Sequence, residues 1–410
     1  MERKQKEGTG VRMMRMAAAL LAAVLLPAAC AAQTVQTDGE AQRAVPVEIY
    51  VAQDAMDRET AERLMQLLGQ AFEEGAFTAV YEQEAGSLRD LVMADRAPDA
   101  AICAPHEAVR WAAEGMLLPL DGLIEDLACV QPEVLDACVL DESLFMAPLT
   151  ARHRLLAVNA RMVHDAGLGA LLDAQACPMW YPSQLNLILE ELADTPGMEI
   201  WPALGEDGMV RDADAPLDFL QALYGGEAIA LADGHGTPVG LLSSLVWLQE
   251  MTRCGMVGVS GGRQAALDRF LDGETALFID WHSGDEARYA ARLHAGGVEL
   301  RTMPYPSATG LSARSYDLAG ISVFTGGGVR QTALAVQAAA FLCGDERALS
   351  LLGGRGIWQD GAFWLRGVST HPYGATLRML LARAQTEVIA GEAAPQEAVE
   401  ALRAAALTLP

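Results

Sequence analysis

The chain has 410 residues, 51% of them hydrophobic, and a formal net charge of −25. Such a field repels nucleic acid, whose affinity comes mainly from Lys and Arg neutralising phosphates. The lysines are Lys4 and Lys6 alone, so beyond residue 6 there is no lysine for a Schiff base, a P-loop or a general base, and cationic contacts to a ligand fall to Arg or His.

The chain opens with a basic leader, Arg3, Lys4, Lys6, Arg12 and Arg15, followed by MAAALLAAVLLPAAC from Met16 to Cys30. A positive start, an apolar middle and a small-residue end make an export signal. The apolar run is well short of the ~20 residues that span a bilayer. Cys30 after Ala28 and Ala29 resembles the lipobox of bacterial lipoproteins, with Pro27 where leucine is usual. The resemblance implies cleavage before Cys30 and lipid on its sulfur; a secretory signal cut near Ala32 is the other reading. Either way residues 1–29 are a signal peptide, the working protein is outside the cytoplasm, and residues 30–45 read as a flexible tether. Six further cysteines, Cys103, Cys129, Cys138, Cys177, Cys254 and Cys343, form no C-x-x-C pair. Their apolar settings favour buried free thiols. Cys129 and Cys138 are the best-placed pair for a bridge.

PVEIYVA alternates toward a strand, and DRETAERLMQLLGQAFEEG is an amphipathic helix closed by Gly75. FTAVYEQE reads as a strand, SLRDLVMAD as a helix, AAICA as a short buried strand and HEAVRWAAEG as a helix. Strands alternating with helices predict a mostly parallel sheet covered on both faces, an α/β fold. An extended run through Pro148 breaks the rhythm. Helices are then expected at SQLNLILEELA, APLDFLQALYGG, PVGLLSSLVWLQEMTRCG and RQAALDRFLDG, and a strand at TALFIDW. TMPYPSATGLSARSYD reads as a loop. QTALAVQAAAFLCGDERALSLLGG is a helical pair, and the chain from HPYGATLRMLL onward is helical.

Four stretches in order resemble the extracellular solute-binding proteins of ABC importers, in the sugar-binding branch related to maltose-binding protein. APDAAICAPHEAVRWAAEGMLLPLDGLIED resembles the family's Pro-Asp, buried strand, helix and G-L-L-x-P-L-D stretch. ESLFMAPLTARHRLLAVNARMVHDAGL is similar to its hinge segment, ALDRFLDGETALFIDW to its F-x-x-G-x-A-A-M-x-x-x-x-W, and SYDLAGISVFTGGGVRQTALAVQAAAFL to its later glycine and alanine stretch. The resemblance implies a two-lobed type II periplasmic-binding-protein-like fold: lobe 1 of 46–148 plus 304–352, lobe 2 of 149–303 plus 353–410, a hinged ligand cleft, and lobe closure presented to permease subunits. It implies a monomer with a small-molecule solute, a sugar first of all, and no enzymatic activity, cofactor, metal or nucleic acid. Membrane contact would be through the lipid anchor. A non-transporting sensor or scaffold lipoprotein of the same fold is a further alternative.

In parallel sheets ligands sit beyond the carboxyl ends of the strands. Asp54 follows the first strand, and His106 and Glu107 follow AAICA, matching the family's polar contacts in that loop. Glu107 also fits as a first-turn acid of the next helix. Arg152 stands where related sugar binders often carry an acid, which points either to an anionic group on the ligand or to a hinge salt bridge. Trp281 stands where the family stacks an aromatic on a sugar ring; core packing is its alternative. Tyr316 and Tyr373 are loop aromatics with the same two readings, and Trp180 reads as structural.

Two other chemistries compete. GVSGG at 258–262 satisfies G-x-S-x-G, with Ser260 as nucleophile and Asp280, His294 and His371 after it; that elbow needs a strand directly before it, and TRCGMV is short and glycine-broken. A loop leading into the next helix is the ordinary reading. The seven histidines show no H-x-H or H-E-x-x-H spacing, so no metal site is expected.

Overall fold

The computed structural model describes residues 44–409 apart from 53–54, 125–126, 128–129, 131, 174–180, 193–195, 206–209, 211–213, 226–238, 311–312, 354–362 and 365–373. The signal and lipidation site at Cys30, together with Asp54, Cys129, Cys177, Trp180, His371 and Tyr373, lie outside these residues. The chain forms two compact units, residues 1–150 with 318–356 and residues 151–317 with 357–410. The crossings among the described residues fall at Thr150/Ala151 and Asp317/Leu318. The segment 304–317, expected in lobe 1, belongs to unit 2, because Tyr305 is wholly buried there, donates to the Ile279 carbonyl and packs edge-on against Phe219.

The first pass through unit 1 runs β1 (Val45–Val51), α1 (Arg58–Ala71), β2 (Gly75–Tyr81), α2 (Glu82–Ala85), α3 (Leu88–Met93), β3 (Ala100–Cys103), α4 (Pro105–Ala113), α5 (Pro132–Asp136) and the hairpin β4 (Val139–Leu140) and β5 (Ser143–Leu144). β6 (Ala147–Asn159) leaves it for unit 2. There follow α6 (Ala160–Asp165), α7 (Gly169–Asp173), α8 (Pro182–Glu191), β7 (Met198–Ile200), α9 (Asp214–Tyr224), α10 (Val239–Arg253), β8 (Val257–Val259), α11 (Arg263–Leu271), β9 (Leu277–His282), α12 (Asp285–Ala295) and β10 (Leu300–Met303). β11 (Ala313–Val323) returns to unit 1, where α13 (Val329–Gly344) and α14 (Glu346–Leu351) follow. β12 (Phe363–Trp364), α15 (Gly374–Ala390) and α16 (Pro395–Ala406) complete unit 2.

Local chemistry explains these starts and stops. Asp57 caps α1 by accepting from Thr60 N at 2.9 Å, and Ala61, Leu64, Met65 and Leu68 bury one face at helical spacing. In unit 1, β1 pairs in parallel with β2 and with β3, while the end of β11 runs antiparallel to β3. All four residues of β3 are buried, which fits a strand covered on both faces. In unit 2, β7 pairs in parallel with β8 and β9, and β6 runs antiparallel to both β9 and β10. Its core gathers Phe219, Trp247, Phe270, Phe278, Trp281 and Tyr305. The C-terminal helices join that core through buried Gln385, which donates to the Trp201 carbonyl at 3.0 Å and accepts from Ala203 N at 2.9 Å.

The sequence reading differs at several points. The stretch expected as a loop contains the end of β10 and the start of β11. The strands β7 and β8, three residues each, and helix α12 were not expected. Cys138 is a buried free thiol that donates to the Val134 carbonyl, so the bridge to Cys129 is not formed. Cys103 and Cys343 are buried free thiols too, and Cys254 is an exposed one. No helix among the described residues is long and apolar enough to cross a membrane.

Candidate functional site

The carboxyl ends of the parallel strands are described for each unit in turn. In unit 1, β1 ends at Val51, β2 at Tyr81 and β3 at Cys103. His106 and Glu107 follow β3 in the first turn of α4 and are half-buried. Glu107 is close enough to add to burial in pushing the Cys103 thiol and the Tyr50 phenol upward. Tyr50 is buried and donates to the Gly86 carbonyl at 3.4 Å, and so holds the turn after α2 beside this end of the sheet. At the rim, Arg58 pairs with Glu84 at 2.6 Å and lies over the Tyr81 ring.

In unit 2 the same end of the sheet is built around Arg154, which is 3% exposed. Arg154 lies opposite His282 in the β6–β9 ladder, and Asp280 shares that face two residues earlier. Its Nε donates to Asp280 Oδ1 at 2.8 Å, and Nη1 donates to Asp218 Oδ2 at 2.8 Å and Ser315 Oγ at 3.0 Å. Nη2 donates to Asp317. Arg263 holds the other oxygen of Asp280, and Ser315 also donates to Asp218. His282 Nε2 lies 2.6 Å from Asp317 Oδ2, and its backbone N donates to Asp285 at 3.1 Å. That contact needs the tight turn at Gly284, whose φ of +97° favours glycine.

Burial works against every charge in this cluster, and the partners decide the outcome. For His282, burial lowers proton affinity, but the bonds to Asp285 and Asp317 and the charge of Asp280 raise its pKa to about 9. Burial raises Asp218 to about 6 despite Arg154 beside it. Burial opposes ionisation of Asp317 and Asp280 as well, yet Arg154 and His282 hold both below the ordinary carboxylate range.

The sequence candidates fall as follows. Arg152 is exposed and its guanidinium lies 3.6 Å from Asp317 Oδ2, so the ion pair is the role the structure contains. Tyr316 is half-buried on β11, on the face opposite Ser315 and Asp317. Trp281 is corrected from a ligand contact to a core residue: it is 1% exposed, edge-on to Phe270 at 6.0 Å and tilted on Tyr289 at 5.8 Å. The alternation that turns Asp280 and His282 toward Arg154 turns Trp281 to the opposite face. Arg154, Asp218 and Asp317 were missed as site residues. The signal for Arg154 and Asp317 was polar residues two apart in strands, Arg152 and Arg154, Ser315 and Asp317, Asp280 and His282; Asp218, on helix α9, carried no such signal.

Ser260 does lie between a strand, β8, and a helix, α11. Its hydroxyl has two carbonyl acceptors for its single proton, Ile200 at 3.4 Å and Gly262 at 3.2 Å. Asp280 is held by Arg154 and Arg263, and His294 is exposed on α12. Among the described residues, no group of three or more His, Cys, Asp or Glu could hold a metal ion.

No family model matches the sequence, and no curated protein matches it. Solved structures do match. The sugar-binding protein MalE from the phytopathogen Xanthomonas citri is 15% identical with a TM-score of 0.67, over 88% of this chain and 96% of that one. The GacH receptor of Streptomyces glaucescens, solved unliganded and with acarbose, is 14% identical with a TM-score of 0.63, over 88% and 97%. An ABC transporter solute-binding protein from Thermotoga lettingae, bound to α-D-tagatose, is 14% identical with a TM-score of 0.65, over 88% and 98%. The chain therefore has the mixed α/β, type II periplasmic-binding-protein fold of the maltose-binding-like extracellular solute-binding proteins.

Proposed function

We propose that this protein is an extracellular substrate-binding lipoprotein of an ABC importer that captures a small polar solute, a sugar or oligosaccharide, and delivers it to a permease. The carrying observation is the fold, shared along nearly nine-tenths of the chain with proteins named for sugars. Of the polar residues at the carboxyl ends, His106 and Glu107 would meet the solute in unit 1, with Arg152 and Tyr316 as further contacts in unit 2. A carboxylate such as Glu107 accepts two sugar hydroxyls, which suits a polyol. The charge balance favours a neutral solute over an acidic one. Arg152, the cation that suggested an anionic ligand, has Asp317 as its counterion. Lipid on Cys30 would keep the receptor near its permease and raise its effective concentration there.

Thermal-shift screening of the mature protein against neutral oligosaccharides, uronic acids and peptides tests this reading. A solute at 100 times its dissociation constant adds about 2.7 kcal/mol. Stabilisation by a neutral sugar is the expected result; silence from every sugar overturns the sugar assignment. Mass spectrometry of the membrane-extracted protein, read for a diacylglyceryl group on Cys30, tests the anchor. A fluorophosphonate that labels Ser260 would overturn the non-enzymatic reading.

A further inference from the structure

The two long strands that cross between the units meet one ionic cluster where they enter and leave unit 2. Ala151 is the first residue of unit 2 on β6, and Asp317 is its last on β11. Arg154 stands three residues inside the first crossing, and Ser315 and Asp317 stand at the second. From β6, the Arg154 guanidinium reaches Asp280 on β9 at 2.8 Å, Asp218 on α9 at 2.8 Å, and Ser315 at 3.0 Å and Asp317 on β11. Asp214 of α9 lies 4.0 Å from the same guanidinium. Around it, Arg263 of α11 and Arg152 of β6 neutralise Asp280 and Asp317, and His282 of β9 lies 2.6 Å from Asp317. One buried side chain thus ties two crossing strands, a central strand and a helix.

Physical chemistry makes this tie stiff. A guanidinium is a planar fork with fixed donor directions, so its partners cannot drift independently. Opening any arm leaves a buried charge without its counterion, a large cost in a dry site. Within unit 2, β11 contributes only the short stretch 313–317, which pairs with β12 at Ala313 and Arg314 and neighbours β6 in the sheet, and the guanidinium adds side-chain ties to its far end.

We infer that Arg154 is a positioning residue that fastens the unit 2 ends of β6 and β11 to the sheet of unit 2. Nothing in the inference depends on which solute is bound.

Hydrogen exchange of the mature protein, read by mass spectrometry without ligand, tests it. In the wild type, peptides covering 151–159 and 313–317 should exchange as slowly as those of β9. In Arg154→Met, 313–317 should exchange roughly tenfold faster or more, while β7 and β8 keep their protection. The double variant Ser315→Ala, Asp317→Asn keeps the guanidinium and removes the β11 carboxylate and hydroxyl, together with their contacts to Arg152, His282 and Asp218. It decides the matter if Arg154→Met fails to fold, and should give the same local rise at 313–317 while β7 and β8 keep their protection. Wild-type protection of 313–317 in the double variant overturns the inference. So does equal loss of protection across β7, β8 and β9, which would make the cluster general core rather than a local fastening.

Discussion

The carboxyl ends of the strands are furnished differently in the two units. In unit 2 the acids Asp214, Asp218, Asp280, Asp285 and Asp317 are matched by Arg152, Arg154, Arg263, His282 and Arg378. Most of that cluster is buried, and its charges pair with one another. In unit 1, Glu82, His106 and Glu107 are half-buried, and the cation at the rim is Arg58 on Glu84. Related strand–helix architecture has been used for two ends. Unit 2 commits its polar groups to its own structure. Unit 1 keeps Glu82 and Glu107 half-buried. The comparison ties the first set to stability; the solute contacts proposed above lie in the second.

Four measurements would break or sharpen that contrast. Asp280→Ala strips a buried counterion from both Arg154 and Arg263 and should cost about 3–5 kcal/mol in urea unfolding. A cost under about 1 kcal/mol would show the cluster to be loosely solvated. Trp281→Ala should cost about 3–5 kcal/mol through the cavity it opens. If it instead folds with wild-type stability and loses solute binding, Trp281 is a contact after all.

The third is pH. His282, raised from 6.5 to about 9, stabilises the fold fully below pH 6.5, and that contribution is lost as pH rises to about 9. Its size is at most about 3 kcal/mol. Asp218, raised from 3.8 to about 6, adds stability as pH falls from about 6 toward 4. Asp280, Asp285 and Asp317 are lowered, so their contribution is present above 3.8 and is lost in stronger acid. The melting temperature should therefore peak in mild acid and fall on the alkaline side. His282→Asn should flatten the alkaline limb; an unchanged limb would show that His282 does not carry it. The smallest expected effect on folding is that of Glu107→Gln, within about 0.5 kcal/mol. Its effect should fall on affinity for a sugar identified by the screen. Intact affinity would move the contact away from Glu107.

Most of the first strands and helices of unit 1 were legible because their signals are local, whereas Glu82–Ala85, read as the end of a strand, is the short helix α2. Asp57 before a helix with apolar residues at 61, 64, 65 and 68, and the apolar AAIC of β3, carry their own periodicity. The strands β7 and β8 were not legible, because three residues cannot show a period. β11 was hidden by the polar SARSYD at its start, whose Ser and Asp are polar because they face Arg154 and not solvent. At the site, His106 and Glu107 were placed by chain order after a buried strand, a local feature. Trp281 was misplaced because the end of a strand does not reveal which face each residue takes.

The sequence by itself determined the fold class, the order of the first strands and helices of unit 1, and which loop follows the buried strand β3. Each of those follows from hydrophobic spacing within a dozen residues. The tertiary structure alone decided where the chain crosses between units, that Trp281 is core, and that Arg152 and Arg154 are neutralised. The reason is distance along the chain. Arg154 meets Asp280 across 126 positions and Ser315 across 161. An arginine in a strand looks the same in sequence whether its counterion is a solute or an aspartate brought to it by folding.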